Sequence, residues 1–317
     1  MDKLYSMIED WKVIVSTKSG GGKAAQDWPK IAALLDAKNI KYSAVFTERR
    51  YHAMDLASKA IAEGYRKIVC VGGDGAVHEA LNGVCSQKEV PSDEVTLAII
   101  PVGSGNDWAR LHNIPRDYAK DVEIIAAENT VYQDVALVSS VFKGHSYKRY
   151  MINIGGLGFD ANVCHHFDKL KIKGKATERQ YYNCVVKGFL GYSNRRFKVI
   201  ADGEVIYEGD VFSVALGIGK YSGGGMLQTP AAVYDDGLTD VTVIKRMPKL
   251  KILVHLKKLF KGNIYNIREV IHTKAKVLVI QAWPASRVEV DGEYSGESPI
   301  LVETIPHAIK AIRNNLT

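Results

Sequence analysis

Four short apolar runs, residues 11–15, 41–46, 67–71 and 96–101, alternate with stretches whose apolar side chains recur at helical spacing. This alternation constrains the fold more than any other feature of the chain. Residues 24–37 place Trp28, Ile31, Leu34 and Leu35 on one helical stripe, and residues 52–63 do the same with Met54, Leu56, Ala57, Ala60 and Ile61. Strands that are apolar throughout, joined by amphipathic helices, predict a mostly parallel sheet buried on both faces by crossover helices. Ligands of such sheets bind beyond the carboxyl ends of the strands.

From about Val131 the pattern changes to β-rich segments broken by turns. Within residues 197–209, Ala201-Asp202-Gly203-Glu204 reads as a hairpin turn between two strands. Residues 306–316 return to a helical pattern carried by Ala308, Ile309 and Ile312. The expected architecture is α/β: an N-terminal α/β domain with a mostly parallel sheet over residues 1–130, to which residues 304–317 return, and a β-rich, antiparallel sandwich domain over residues 131–303. A chain of 317 residues with 46% hydrophobic residues has ample core-forming material. Its four cysteines form no CxxC pair, which argues against a disulfide framework or zinc ribbon and fits a reducing cytoplasm. Neither an apolar leader at residues 1–11 nor a run of eighteen apolar residues is present, so the expectation is a soluble or peripherally attached protein. The formal charge of +7 favours anionic partners.

Gly72-Gly73-Asp74-Gly75 follows the third strand and precedes a helical pattern containing Glu79, Ala80 and Leu81. Such glycines let the backbone turn sharply, approach phosphate oxygens and hand over to a helix N-terminus that attracts anions. Asp74 would repel a phosphate unless a magnesium ion or ligand hydroxyl lies between them; the structural alternative is a tight turn with an aspartate cap. A second loop, Pro101-Val102-Gly103-Ser104-Gly105-Asn106-Asp107, follows the next strand, so both loops belong on one edge of the sheet. Residues 16–24 fail as a Walker loop, because Thr17 replaces the first glycine and Ala24 the metal-binding hydroxyl. The same segment read as Gly20-x-Gly22-x-x-Ala25, with Glu48 as the ribose acid, gives a loose dinucleotide-binding alternative.

Gly72-Gly73-Asp74-Gly75 with Glu79, Asn82 and Gly83, followed by Pro101-x-Gly103-Ser104-Gly105-Asn106-Asp107 with Arg110, resembles the nucleotide-binding signatures of the diacylglycerol kinase catalytic domain family. The resemblance continues through Asn153-x-Gly155-Gly156-Leu157-Gly158-Phe159-Asp160, Gly223-Gly224-Gly225-Met226, Pro230-x-Ala232 and Asp235-Asp236-Gly237-Leu238-x-Asp240, and ends at Asp291-Gly292-Glu293. It implies an ATP- and magnesium-dependent lipid kinase of the type that includes bacterial lipid kinases and sphingosine kinases. It also implies that Gly72, Gly73, Asp74 and Gly75 cradle the nucleotide phosphates, with Ala76, Ser104, Thr47 and the loop from Ser16 nearby. Ala76 stands where the family has threonine, a loss of one neutral hydrogen bond worth about 1 kcal/mol. The resemblance makes Glu293 or Asp291 the acceptor of the hydroxyl proton and Asp236, with the carbonyls of Val233 and Leu238, a metal site supporting a loop. Locally, both acidic segments read equally well as polar turns.

Residues 248–262 place Ile252, Leu253, Leu256, Leu259 and Phe260 at helical spacing among Lys249, Lys251, Lys257, Lys258 and Lys261, with no acid. Such a helix suits an anionic bilayer, or it packs its stripe on a sheet. His165 and His166 are adjacent, pointing apart in a strand and away from a shared metal. The implied partner is a membrane lipid substrate met at the inner face of the membrane. No basic run is interleaved with aromatics as nucleic-acid binding requires. A kinase of a soluble acceptor such as NAD, or a nucleotide- or lipid-binding protein without turnover, are the rival readings; nothing in the sequence specifies which lipid or which oligomeric state.

Overall fold

The computed structural model of the chain describes residues 7–142, 144–172 and 178–315. The chain forms two compact units, Met1–Asp134 with His307–Thr317, and Val135–Pro306.

The first unit runs β1 (Ile8–Val15), α1 (Lys23–Ala37), β2 (Tyr42–Phe46), α2 (His52–Ala62), β3 (Tyr65–Gly72), α3 (Asp74–Ser86), β4 (Thr96–Pro101), α4 (Asp107–Leu111) and α5 (Tyr118–Ala127). Its strands pair in parallel in the order β2-β1-β3-β4. Val13, Val15, Val69, Val71, Ala98 and Ile100 point to one face and pack with Ile31 and Leu35 of α1 and Val122 and Ile125 of α5. The other face carries the fully buried Ile14, Ile68, Leu97 and Ile99, on the side where α2 and α3 pack together. Each such aliphatic side chain contributes about 1.5–3 kcal/mol on burial, so the continuous apolar strands account for the stability of a sheet covered on both sides.

The second unit contains β5 (Thr130–Phe142), which starts in the first, then β6 (His145–Met151), β7 (Ile154–Gly158), α6 (Phe159–Ile172), α7 (Glu178–Gly191), β8 (Arg195–Ala201), β9 (Glu204–Gly217), β10 (Tyr221–Ser222), β11 (Met226–Leu227), β12 (Thr239–Lys245), α8 (Lys249–Phe260), β13 (Val270–Ala275), β14 (Val277–Trp283), β15 (Arg287–Val290) and β16 (Glu293–Ile312). Its pairings are antiparallel and close on themselves: β7 joins β9 and β15, β15 joins β16, β16 joins β14, β14 joins β8, and β8 returns to β9. Inside lie Leu157, Phe197, Val199, Val214, Leu278, Ile280, Val288 and Ile300. The expected hairpin at residues 201–204 forms, with Asp202 and Gly203 both left-handed at φ 48° and 89°, the backbone of a type I′ turn.

Two expectations are corrected. Residues 306–312 are strand, not helix: the end of β16 pairs in parallel with β4 through Lys310 and Thr96. Ala308, Ile309, Ala311 and Ile312 are all buried there, and a strand covered on both faces presents an apolar run that periodicity does not separate from a helix. His165 and His166 lie on helix α6 rather than a strand, with His165 against the Tyr294 ring at 4.8 Å. Helices α6 and α7 interrupt a region whose turns and β-branched residues favoured strands throughout.

Candidate functional site

In the first unit the carboxyl ends of β1, β3 and β4 bring three loops together. The β3–β4 register sets Gly72 beside Pro101, and Val102 N–H donates to the Gly72 carbonyl at 2.8 Å. A β-carbon on Gly72 would stand 2.8 Å from the Ala76 methyl, 3.0 Å from Ser19 Oγ and 3.1 Å from Ser16 Cβ, so only glycine fits. Helix α3 starts at Gly73 with no side-chain cap. Its first N–H groups therefore keep their affinity for an anion.

Asp74 does not cap its own helix. Its Oδ1 accepts the Trp108 N–H at 2.9 Å and so ties the first glycine loop to the second. Asn106, left-handed and buried, donates through Nδ2 to the Gly103 carbonyl at 2.9 Å. Its Oδ1 is buried without a hydrogen-bond partner among the described residues and would lie 3.3 Å from a β-carbon on Gly73. Asp107 pairs with Arg110. Ser104 is exposed, and its carbonyl and that of Gly105 accept from Arg116 at 2.6 and 2.7 Å.

The remaining loop joins β1 to α1. Ser16 N–H donates to the Val71 carbonyl at 2.9 Å, and Ser19 Oγ to Ser16 Oγ at 2.9 Å. Thr47 Oγ1 accepts the Thr17 N–H at 3.1 Å while Thr17 Oγ1 donates to the Thr47 carbonyl at 2.7 Å. The two oxygens of Glu79 accept the N–H groups of Tyr51 and Ala53 at 2.9 and 3.2 Å, at the start of α2. A carboxylate on a helix N-terminus is stabilising, so Glu79 holds the start of α2.

Sequence reasoning missed a buried cluster behind the second loop. Gln133 Oε1 accepts from Trp108 Nε1 at 3.0 Å and lies 2.8 Å from His112 Nε2. Burial first, with Arg313 also contributing, pushes the His112 imidazole down to about 4 against the opposing pull of Gln133, so it is neutral and donates to the amide oxygen. An isolated glutamine on a strand gives no periodic signal that would have marked it.

In the second unit Asp291 and Gly292 are left-handed at φ 49° and 79° and form the two-residue turn between β15 and β16. Asp291 Oδ2 accepts Ile152 N–H at 2.9 Å, and Oδ1 accepts the N–H groups of Asn153 and Ile154 at 2.9 and 3.1 Å. Glu289, unmarked by the motifs, accepts the Gly292 N–H at 2.8 Å. Glu293 opens β16 and is buried, 8% exposed. The turn is thus built by Asp291 and Glu289.

The loop expected to hold a metal does not fit one. Asp236 Oδ1 accepts the Leu238 N–H at 3.1 Å and its Oδ2 lies 2.7 Å from the ammonium of Lys274. Val233 is an exposed side chain of the same loop. No cluster of three or more histidine, cysteine, aspartate or glutamate side chains suited to a metal exists among the described residues.

Residues 10–138 match the model of the diacylglycerol kinase catalytic domain, and residues 154–313 match that of the YegS C-terminal NAD kinase beta sandwich-like domain. The chain is 26% identical to a diacylglycerol kinase of Staphylococcus carnosus over 91% of its length and 90% of the relative's. It is 25% identical to a diacylglycerol kinase of Mycobacterium tuberculosis over 93% and 92%. Among solved structures it superposes on a diacylglycerol kinase from Bacillus anthracis with a TM-score of 0.76 and 27% identity, covering 97% of this chain and 98% of that one. A yeast NADH kinase shares the fold alone, with a TM-score of 0.55 and 10% identity. Matched in both halves and over nearly its whole length, the chain belongs to the diacylglycerol kinase family of lipid kinases.

Proposed function

We propose that the chain transfers the terminal phosphoryl group of ATP to a hydroxyl of diacylglycerol or a closely related membrane lipid. The observation that carries this reading is the joined pair of glycine loops, with the uncapped start of α3 beside a buried Asn106 oxygen that has no hydrogen-bond partner among the described residues. Backbone N–H groups there receive phosphate oxygens, and the Asn106 carbonyl accepts a ligand hydroxyl or amine. A magnesium ion carried by the nucleotide supplies neutralisation of phosphate charge. Asp74 holds the two loops in register through Trp108, so the chain contributes mainly positioning, as phosphoryl transfer requires. Glu293 accepts the proton of the lipid hydroxyl, while Asp291, already bonded to three N–H groups, fixes the turn that aims it.

No helix among the described residues is long and apolar enough to cross a membrane. The proposed route to a lipid acceptor is peripheral contact by α8, whose Leu250, Leu253, Val254 and Phe260 are exposed among lysines, at the cytoplasmic face of the membrane.

The test is transfer of labelled phosphate from ATP to fractionated membrane lipids, with NAD offered in parallel as the acceptor suggested by the fold likeness to the yeast enzyme. Asp74→Ala and Glu293→Ala are each expected to reduce lipid labelling to background. Asp74→Asn, which retains an oxygen for the Trp108 N–H, separates loop positioning from charge. Full activity in both alanine variants, or labelling of NAD and no lipid, refutes the assignment.

A further inference from the structure

The loop from Val233 to Asp240 carries the donor set that resembles a divalent-cation site, yet a lysine of the neighbouring strand is already inside it. Antiparallel pairing of β12 and β13 sets Lys274 directly opposite Asp240. The ammonium lies 2.7 Å from Asp236 Oδ2 and 3.3 Å from Asp240 Oδ2. Asp240 is fully buried, and its other oxygen is 2.8 Å from His272 Nε2. His272 in turn stacks on the Tyr265 ring at 4.2 Å. The second oxygen of Asp236 is spent on the Leu238 N–H, closing the turn that contains Gly237.

We infer that Lys274 serves as a built-in cation: its ammonium takes the position of a loop-supporting divalent ion, so this loop is organised without bound metal. Magnesium demands near-octahedral oxygen contacts at about 2.0–2.1 Å and sheds its waters reluctantly. It would have to displace an ammonium from the same carboxylate oxygen and then sit beside that positive charge. Lysine has the reach and the three donors to bridge two carboxylates from a strand. The register fixes its stem, and a buried Asp240 needs a compensating charge. The inference concerns the second unit alone and stands whichever lipid, or NAD, proves to be the acceptor.

The consequence is a latent metal requirement. Removing the ammonium while keeping an apolar stem, Lys274→Met, leaves Asp236 and Asp240 uncompensated and opens the position to a cation. The experiment is thermal unfolding of the nucleotide-free full chain in EDTA and in 10 mM magnesium chloride. The wild-type midpoint is expected to be the same in both within about 1 °C. Lys274→Met is expected to unfold roughly 3–6 °C earlier in EDTA and to recover most of that loss in magnesium, because a ligand that binds only the folded state stabilises it. Lys274→Arg, which keeps the charge, is expected to stay indifferent to metal. Manganese titration of the wild type, followed by electron paramagnetic resonance, gives a reading that needs no variant to fold: the inference expects no site that Asp236→Asn abolishes. Such a site, or a wild-type gain in magnesium lost in Asp236→Asn, or a folded Lys274→Met indifferent to metal, overturns it.

Discussion

A carboxylate that accepts several backbone N–H groups is fixed in place, because moving it costs those bonds. Asp291 is in that position, with three N–H donors from residues 152–154. Glu293 lies two residues further on, buried at the start of β16, and in the reaction proposed above it is the carboxylate that meets the lipid hydroxyl. The same reasoning about single hydrogen bonds applies to Ala76, in the first turn of α3. Ala76 is buried, and its methyl faces the space kept open by Gly72. Ala76→Thr adds one hydroxyl beside the proposed phosphate site, worth about 1 kcal/mol of binding. The KM for ATP is expected to fall about fivefold with kcat little changed, measured by steady-state lipid phosphorylation at varied ATP. A rise in KM would mean that the added side chain crowds Ser16 and Ser19 instead.

At the level of elements, what was legible depended on whether local pattern and tertiary role agreed. Strands β1 to β4 and helices α1 and α2 read correctly from apolar runs and amphipathic stripes, because a two-sided parallel sheet imposes that texture. The Asp202-Gly203 turn was legible because few sequences satisfy two left-handed positions in succession. The tail of β16 was not, since its two buried faces erase the alternation that marks a strand. Within the motifs, residue type was legible but role was not: Glu79 and Gly83 belong to the glycine-loop signature by sequence, yet Glu79 caps α2 and Gly83 lets α3 approach it, a β-carbon there falling 2.2 Å from the Met54 carbonyl oxygen. Lys274 and Gln133 carried no pattern at all, because their partners are set by strand pairing. Helix α8 shows both of its expected faces at once. Ile252 and Leu259 pack on Met247, Ile264 and Ile267, while Leu250, Leu253, Val254 and Phe260 face outward. Lys251 is engaged by Glu269 at 2.6 Å, so the proposed membrane contact would draw on Lys257, Lys258 and Lys261. Reversing Lys257 and Lys258 to glutamate is expected to lower sedimentation with phosphatidylglycerol vesicles at least tenfold, at about 1 kcal/mol per charge near an anionic surface, with the melting point unchanged. Undiminished sedimentation removes the membrane role from α8.

For the molecule as a whole, two compact units with separate cores make stability a property to be followed unit by unit, and two buried ionisable groups of the first unit bound its pH range. Asp121 on α5 is fully buried, with no geometrically good hydrogen bond to either carboxylate oxygen among the described residues, and burial, reinforced by the Asp117 charge against a weak opposing pull from the Asp117 backbone, pushes its carboxyl up to about 8. A raised acid binds its proton more tightly folded than unfolded, so its contribution is complete below the ordinary value near 3.8 and is lost as pH rises towards 8. His112 has the opposite sense: lowered from 6.5 to about 4, it is neutral in the folded state, and its contribution is complete above 6.5 and lost as pH falls towards 4. The first unit should therefore be most stable in the mildly acidic range between these limbs. Asp121→Asn removes the alkaline limb without altering shape; a shift of several pKa units corresponds to a few kcal/mol at full effect. Its melting transition at pH 8 is expected to rise by several degrees over the wild type, with the gain vanishing near pH 4 and the transition of the second unit, which contains neither group, staying in place. Calorimetry across pH 4 to 9 measures both transitions in one scan. An equal gain at pH 4 and pH 8 would show that Asp121 destabilises the fold by its unpaired polarity rather than its charge.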